Sequence, residues 1–392
     1  MRKSNIAQSI IIFLVILVVL MPRIPILPLG FGELSIRIDG VTSALIGLLA
    51  LYVLRVKLTL IPLFVLGFLY AQNFNFFAIS MGLFLQVLSI FTLPILFFHF
   101  GKKNFALSMV ILQRAEAMVV WYALINVTIA IVSRNISLEI CADSLTNTGC
   151  IGAYGLLDRP YVFSIFIGCG FIFLCSSSFF SFLKTSILLY GLLISDSRSI
   201  AAIMFVLGIV VYLKQQKISL GRTVSLGLMV AILLISVSLG DGKMSLTTAQ
   251  INEVDPSWLM RLNSIEQYMG WVDISKFIFG DGALAFYQFS EQYGQPGPMD
   301  NLYFRVASEI GVAGSFVLLL IYLYPLFRSA KRYGNLFLFG VYVVAVSVIS
   351  IFQESLITPR AGHVLVMLGI YLVHRNAAQF QDGSVRFFGE CK

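Results

Sequence analysis

Long apolar runs separated by short polar stretches organise this chain. They are Ile6–Met21, Val41–Leu54, Leu58–Ala71, Phe76–Phe100, Ala115–Val132 and Tyr161–Cys175 in the first half. Phe179–Ile194, Ile200–Leu213, Val224–Leu239, Leu302–Phe327, Leu336–Phe352 and Gly362–Val373 follow in the second. A helix needs roughly 20 apolar residues to cross about 30 Å of hydrocarbon. Runs of this length predict membrane-spanning helices, whereas a transmembrane barrel would show short strands of alternating polarity. Twelve is the best count; ten or eleven are the alternatives, because several runs are short. The first run follows Arg2 and Lys3 as a signal peptide would, but Pro22, Pro25 and Pro28 stand where a small-residue cleavage site belongs, so an uncleaved first helix is expected.

Composition agrees. Of 392 residues, 58% are hydrophobic and only 12% charged, against about 25% charged in ordinary soluble domains. A soluble fold of this size cannot hide so much apolar surface. Soluble enzymes, disordered chains, collagen-like fibres and disulfide-rich modules are thereby excluded. The expectation is an all-α, polytopic integral membrane protein in which residues 1–392 form a single domain.

Charge orients it. With the N-terminus in the cytoplasm, the inner connections hold 16 of the 27 Lys and Arg residues, in about half the loop length available outside, as the positive-inside rule requires. Both termini are then cytoplasmic. The net charge of +8 is mostly this inner basic rim, which sits against anionic lipid, and no concentrated patch suggests nucleic acid. Two outer loops are long, 133–160 and 240–301, and loops of that length are usually functional. No internal repeat supports a duplicated transporter architecture.

Cys141 and Cys150 share the first long loop. An oxidising outer face permits a disulfide between them; two unpaired thiols are the alternative. Cys169 and Cys175 fall in an apolar run, where cysteine acts as a small hydrophobe. No Cys/His spacing proposes a metal. Glu253 and Asp255 are the one close acidic pair of the large loop, and Asp255 already has a capping role, so neither metal nor other cofactor is expected.

The large loop carries Asp255-Pro256-Ser257-Trp258-Leu259-Met260-Arg261, closed by Gly270. Asp at the N-cap and Pro at the first helical position predict a capped helix. Trp258, Leu262, Ile265 and Met269 make one apolar stripe of it, with Arg261 on the flank, the pattern of an interfacial helix. A second short turn, Trp271 to Phe279, ends in Gly280-Asp281-Gly282.

Arginines mark the outer helix ends. Arg198 sits in the tight turn Ser195-Asp196-Ser197-Arg198-Ser199, Arg305 and Glu309 lie in the first turns of the tenth span, and Arg360 opens the twelfth. Each has a bland reading: an i,i+4 ion pair for Arg305 and Glu309, snorkelling to the interface for Arg198 and Arg360. Together with Arg159 and Arg261, however, they fall on one side of the predicted topology. Guanidinium grips phosphate bidentately and stays charged at any physiological pH. Arg159, Arg198, Arg261, Arg305 and Arg360 are therefore the candidate pyrophosphate-binding set.

These residues carry a family resemblance. Ser197-Arg198-Ser199 opening a helix, Arg261 in a Trp/Arg helix, Phe279-Gly280-Asp281-Gly282, Asp300-Asn301-Leu302-Tyr303 and Glu309-Ile310-Gly311-Val312-Ala313-Gly314 follow one another in an order that resembles the O-antigen polymerase and O-antigen ligase superfamily of bacterial inner-membrane glycosyltransferases. Leu157-Asp158-Arg159-Pro160 looks like a further recurring element. The likeness covers about residues 155–325. It departs from the family pattern at Asp300, where a histidine is usual, and that departure weighs more against a ligase than a polymerase.

The resemblance implies a GT-C-like bundle in the inner membrane with its active face periplasmic. It also implies transfer of a growing glycan from undecaprenyl pyrophosphate to a lipid-linked repeat unit of a surface polysaccharide, as O-antigen, capsule or exopolysaccharide. The donor's bond to phosphate is already activated, so no nucleotide sugar is needed. The arginines, Arg261 among them, would stabilise the departing pyrophosphate without a metal. Asp300 or Glu309 would accept the acceptor's proton, although Asp300 also reads as an N-cap. Implied partners are the lipid-linked glycan, membrane lipids, a chain-length regulator and a flippase of the same pathway. The rival readings are a ligase, or a flippase or other transporter of the lipid-linked unit, for which Lys184, His99 and Gln86 are the notable polar groups deep in the spans.

Overall fold

A computed structural model describes residues 13–20, 25–28, 35–54, 65–69, 77–103, 105–136, 154–157, 159–176, 182–195, 197–215, 266–268, 272–282, 302–352 and 358–374, and the isolated positions 10, 152, 270, 285 and 356. Within them the chain is nearly all helical. A two-stranded antiparallel hairpin, β1 (Pro25–Pro28) with β2 (Ser35–Arg37), follows the first helical stretch. Then come α1 (Ile38–Leu54), α2 (Phe77–Phe91), α3 (Leu93–Lys103), α4 (Phe105–Ile136), α5 (Pro160–Ser176), α6 (Phe182–Leu193) and α7 (Arg198–Gln215). The short α8 (Ile274–Phe279) precedes α9 (Leu302–Arg332), α10 (Leu336–Phe352) and α11 (Pro359–His374).

Among the described residues, two helices are long and apolar enough to cross a membrane by themselves, Leu112–Ile136 of 25 residues and Leu302–Arg332 of 31. Six more apolar helices are shorter, Ile38–Tyr52 and Pro160–Cys175 among them. The run from Phe76 to Phe100, expected as one span, is divided at Thr92. Pro94 has no N–H to offer the preceding turn, and the bonds from Thr92 N to Leu88 O and from Leu96 N to Thr92 O, both 3.0 Å, carry the chain through the bend.

Two helices form the centre. In α5 every residue from Tyr161 to Cys175 is buried, and so is every residue of α11 from Arg360 to His374. An all-round apolar helix of this kind must be enclosed by others, and α11 touches α1, α2, α3, α4, α5, α9 and α10. Apolar surface gains little by leaving lipid, so close packing holds such a bundle together. Gly168 lies so near Met204, and Gly208 so near Phe171, that a Cβ at either glycine would collide with the facing side chain.

The same contacts set helix direction. Gly168 against Met204 and Phe171 against Gly208 make α5 and α7 parallel. Phe166 below Arg360 and Phe173 against Tyr371 make α5 and α11 parallel. Tyr303 reaching Ser347, and Asn335 reaching Val373, make α10 antiparallel to both α9 and α11. The N-termini of α5, α7, α9 and α11 therefore lie at one end of the bundle. Lys214, Arg328, Lys331 and Arg332 lie at the other.

Candidate functional site

At the shared end of those four helices, Arg360 begins α11 with its side chain inside the bundle, 2% exposed. One Nη donates to the Tyr122 hydroxyl at 2.8 Å, and the guanidinium lies over the Phe166 ring, 5.9 Å from its centroid. Tyr122 donates in turn to the Leu20 carbonyl at 3.3 Å. Arg360 does not take the bland alternative of snorkelling outward: the side chain turns inward, where α4 and α5 present an acceptor and an aromatic face. Three residues on, His363 is fully buried, its Nε2 3.3 Å from Ser89 Oγ and its Nδ1 against the Pro359 carbonyl. Ser89 Oγ also meets Ser43 Oγ at 2.6 Å, so a buried polar chain ties α11 to α2 and α1.

One turn along α4 from Tyr122, Asn126 organises the approach to Arg159. Its Oδ1 accepts the Leu156 N–H at 2.7 Å while its Nδ2 donates to the Tyr122 carbonyl at 2.8 Å. Gly152 and Gly155 exchange backbone bonds of 3.1 and 2.9 Å, closing a turn against Asn126, and Gly155 adopts φ +67. Arg159 then lies over the ring of Tyr161 at 6.0 Å, and its carbonyl accepts the first bond of α5 from Phe163 N at 3.0 Å.

The turn that opens α7 is pinned to α5 by Ser195, which hydrogen-bonds Ser164 through its hydroxyl and accepts the Ser197 N–H at 3.2 Å. Arg198 is the first residue of α7. Its position at the common end is set by this turn.

A second group forms where the large loop meets α9. Arg305 Nε donates to Glu309 Oε1 at 3.2 Å, with the two side chains 13% and 2% exposed. The i,i+4 pair read from the spacing is present and mostly buried. Just beyond it α9 is interrupted at Gly311, φ +67 and ψ −179. The turn after α8 docks on this interruption backbone to backbone: Asp281 N donates to Ser308 O at 2.9 Å and Gly282 N to Glu309 O at 3.0 Å. A Cβ at Gly280 would strike Glu309 O, and one at Gly311 would strike Ile278 O. Both glycines hold φ above +60, a region side chains resist.

Local charges lock the loop side of this contact. Asp273 caps α8 by accepting Lys276 N–H at 2.8 Å and the Ser275 hydroxyl at 2.7 Å, which holds its carboxyl below the usual range. Lys276 Nζ bonds Asp281 Oδ2 at 3.0 Å. Tyr268 is buried against Phe304, its phenol pushed up to about 12 by burial and by the nearby Asp281 carboxylate.

Arg159, Arg198, Arg305, Glu309 and Arg360 thus all lie toward one end, in two groups: Arg159, Arg198 and Arg360 around α4, α5, α7 and α11, Arg305 and Glu309 at the α8–α9 contact. Arg261, Asp300, Cys141, Cys150 and the helix built around Trp258 lie outside the described residues. Lys184, read from the sequence as deep in its span, instead lies in the first turn of α6 and rests its ammonium 4.4 Å from the Trp121 ring centroid. Tyr122 and Asn126 are functional residues that the sequence reading misses, because both sit in an apolar run and their i,i+4 spacing is the one available signal; Ser195 is legible as part of the turn before Arg198 but not as its tie to Ser164. Among the described residues, no group of three or more His, Cys, Asp or Glu side chains gathers in a way that could hold a metal.

Residues 185–319 match the family model described as O-antigen ligase. No curated protein and no solved structure matches the chain. The matched stretch starts in α6, takes in the Ser195–Arg198 turn, the large loop, α8 and the Arg305–Glu309 pair, and ends in α9; Arg159 and Arg360 fall outside it. Over residues 185–319 the chain carries a domain of the O-antigen polymerase and ligase superfamily.

Proposed function

We propose that this protein is a polysaccharide polymerase of a bacterial inner membrane, moving a growing glycan from a polyprenyl pyrophosphate to a lipid-linked repeat unit at the periplasmic face. The observation that carries the reading is the O-antigen ligase match across 185–319, which encloses Arg198, Arg261, Asp300, Arg305 and Glu309 together.

In this reading the arginines supply the positive charge that a departing pyrophosphate needs, in fixed positions and with little water between. Glu309, engaged by Arg305 at 3.2 Å, holds that guanidinium toward the donor. With Glu309 occupied by Arg305, removal of the acceptor hydroxyl's proton falls to Asp300. Atoms balance simply: the acceptor oxygen bonds the donor's anomeric carbon, the bond from that carbon to the pyrophosphate oxygen breaks, and the proton passes to the carboxylate.

The family's description favours one alternative, a ligase that delivers the finished glycan to another acceptor. Lipid-linked glycan analysis of a deletion strain separates the readings. Accumulated single repeat units on the outer leaflet support the polymerase. Full-length glycans stranded on the polyprenyl carrier support the ligase, and repeats retained on the cytoplasmic leaflet support a flippase.

A further inference from the structure

Helix α8 exposes nearly all of its large apolar side chains: Ile274 is 80% exposed, Phe277 41%, Ile278 39% and Phe279 53%. In water such a cluster on six residues is costly, at roughly 25 cal/mol per Å² of apolar surface. Its polar groups are already engaged on the other side, Asp273 as the cap and Lys276 with Asp281.

The clasp to α9 fixes where this cluster lies. Arg328, Lys331 and Arg332 close α9 with charge and mark one edge of the hydrocarbon. About 30 Å of hydrocarbon takes about 20 helical residues at 1.5 Å each. From Arg328 back to Val312, the first residue past the break at Gly311, the unbroken helix covers about 24 Å at 1.5 Å per residue, so the break and the Ser308 carbonyl that accepts Asp281 N–H fall near the other edge. The α8 turn is thus fastened to α9 at the opposite lipid–water boundary. On α9 itself, just past the docked turn, Val312 (46%) and Phe316 (61%) are exposed as well, and such side chains face lipid wherever α9 crosses.

We propose that α8 is seated in the lipid interface, with Ile274, Phe277, Ile278 and Phe279 against the acyl-chain border, and that the 280–282 clasp transmits this depth to α9. The occupant of the surface is the bilayer itself. The placement requires only that α9 spans the membrane. Its consequence for Arg305, which is held at headgroup level where the pyrophosphate of a membrane-anchored donor lies, rests on the function proposed above.

The test uses the full-length protein in vesicles of phosphatidylethanolamine and phosphatidylglycerol, with no glycan present. p-Benzoyl-phenylalanine replaces Phe277, Ile274 or, as comparator, Ser275; the Phe277 replacement is close in shape and keeps the fold testable. After irradiation, phospholipid adducts at 277 and 274 are expected at several-fold higher yield than at 275. Equal yields at all three positions, or adducts from 277 only to protein, of its own chain or a second copy, overturn the proposal. Because no glycan enters the measurement, a failed polymerisation assay would leave it standing, and a lack of lipid adducts would leave the polymerase reading untouched.

Discussion

Arg360 and Tyr122, 238 positions apart, meet inside the bundle at 2.8 Å. A guanidinium at 2% exposure cannot rely on water, so its charge must be met by protein dipoles and π-faces. The tyrosine does this while bonding the Leu20 carbonyl at the end of the first helical stretch, which links α11, α4 and the N-terminal segment. Tyr122→Phe removes an acceptor without changing shape. The expected cost is about 1.5 kcal/mol, at the top of the range for hydrogen bonds within membranes because the donor is ionised. Thermal unfolding in detergent reads it, and an unchanged midpoint would show that the bond contributes nothing.

Gly311→Ala places a Cβ against the Ile278 carbonyl at a residue of φ +67, a strain of about 1–3 kcal/mol before any clash is counted. Because the clash is with backbone, the turn 279–282 must leave α9. We expect faster proteolysis of the 240–301 loop and loss of long glycans. Gly340→Ala is the matched control: it is an exposed helical glycine with nothing within 4 Å of the added carbon, and it should gain about 0.5–1 kcal/mol.

These two sites show what hydropathy could and could not reveal. The apolar runs Tyr161–Cys175 and Gly362–Val373 read as membrane-spanning helices; that both are enclosed on all sides comes from the structure and not from the runs. Arg360 was legible as a charge at a helix end but not as a buried one, since burial depends on Tyr122 and Phe166 from α4 and α5. The stretch Glu309-Ile310-Gly311-Val312-Ala313-Gly314 reads as a continuous glycine-rich helix, because a positive φ at Gly311 is dictated by the docking turn and not by its neighbours. Likewise Pro94 sits unnoticed in an apolar window whose average it barely lowers, although it bends the run at Thr92. Contacts between distant segments decide each of these.

Arg305 and Glu309 allow stability to be separated from activity. Arg305→Met alone strands a carboxylate that is 2% exposed, and breaking a buried pair in this way costs about 3–5 kcal/mol. Replacing both, with Arg305→Met and Glu309→Leu, should restore most of that stability, as apolar substitutes for buried pairs usually do. If the pair grips the donor, the double variant is abundant in the membrane and makes no long glycans. Wild-type glycan lengths in that variant would reduce the pair to a structural role.

Asp273 gives α8 a pH dependence of defined sign. Its carboxyl is held below the ordinary value by the Lys276 N–H and Ser275 hydroxyl, so the unfolded segment binds a proton more readily than the capped one. The cap therefore stabilises α8 fully at neutral pH, and its contribution fades as pH falls below about 4 toward the depressed folded value. Protease accessibility around 274–279 should rise in that acid window in the wild type. Asp273→Asn, still a good N-cap but without a titrating group, should remove the acid step while keeping the segment protected at pH 7.

The arginines differ in what a lysine could replace, and that difference tests the phosphate assignment. Lysine keeps the charge but loses the planar fork that meets two phosphate oxygens at once. Arg198 and Arg261 both lie within the 185–319 match. Arg198→Ala and Arg261→Ala should each abolish glycan lengthening with the protein still in the membrane, and Arg→Lys at either position should fail as well. At a position where arginine only anchors a helix end in the interface, lysine would serve equally, since both snorkel. Lysine variants that polymerise normally would therefore reassign Arg198 or Arg261 from ligand binding to anchoring, whereas failure of both Ala and Lys, in protein that reaches the membrane in normal amounts, leaves bidentate recognition of an anion as the remaining demand.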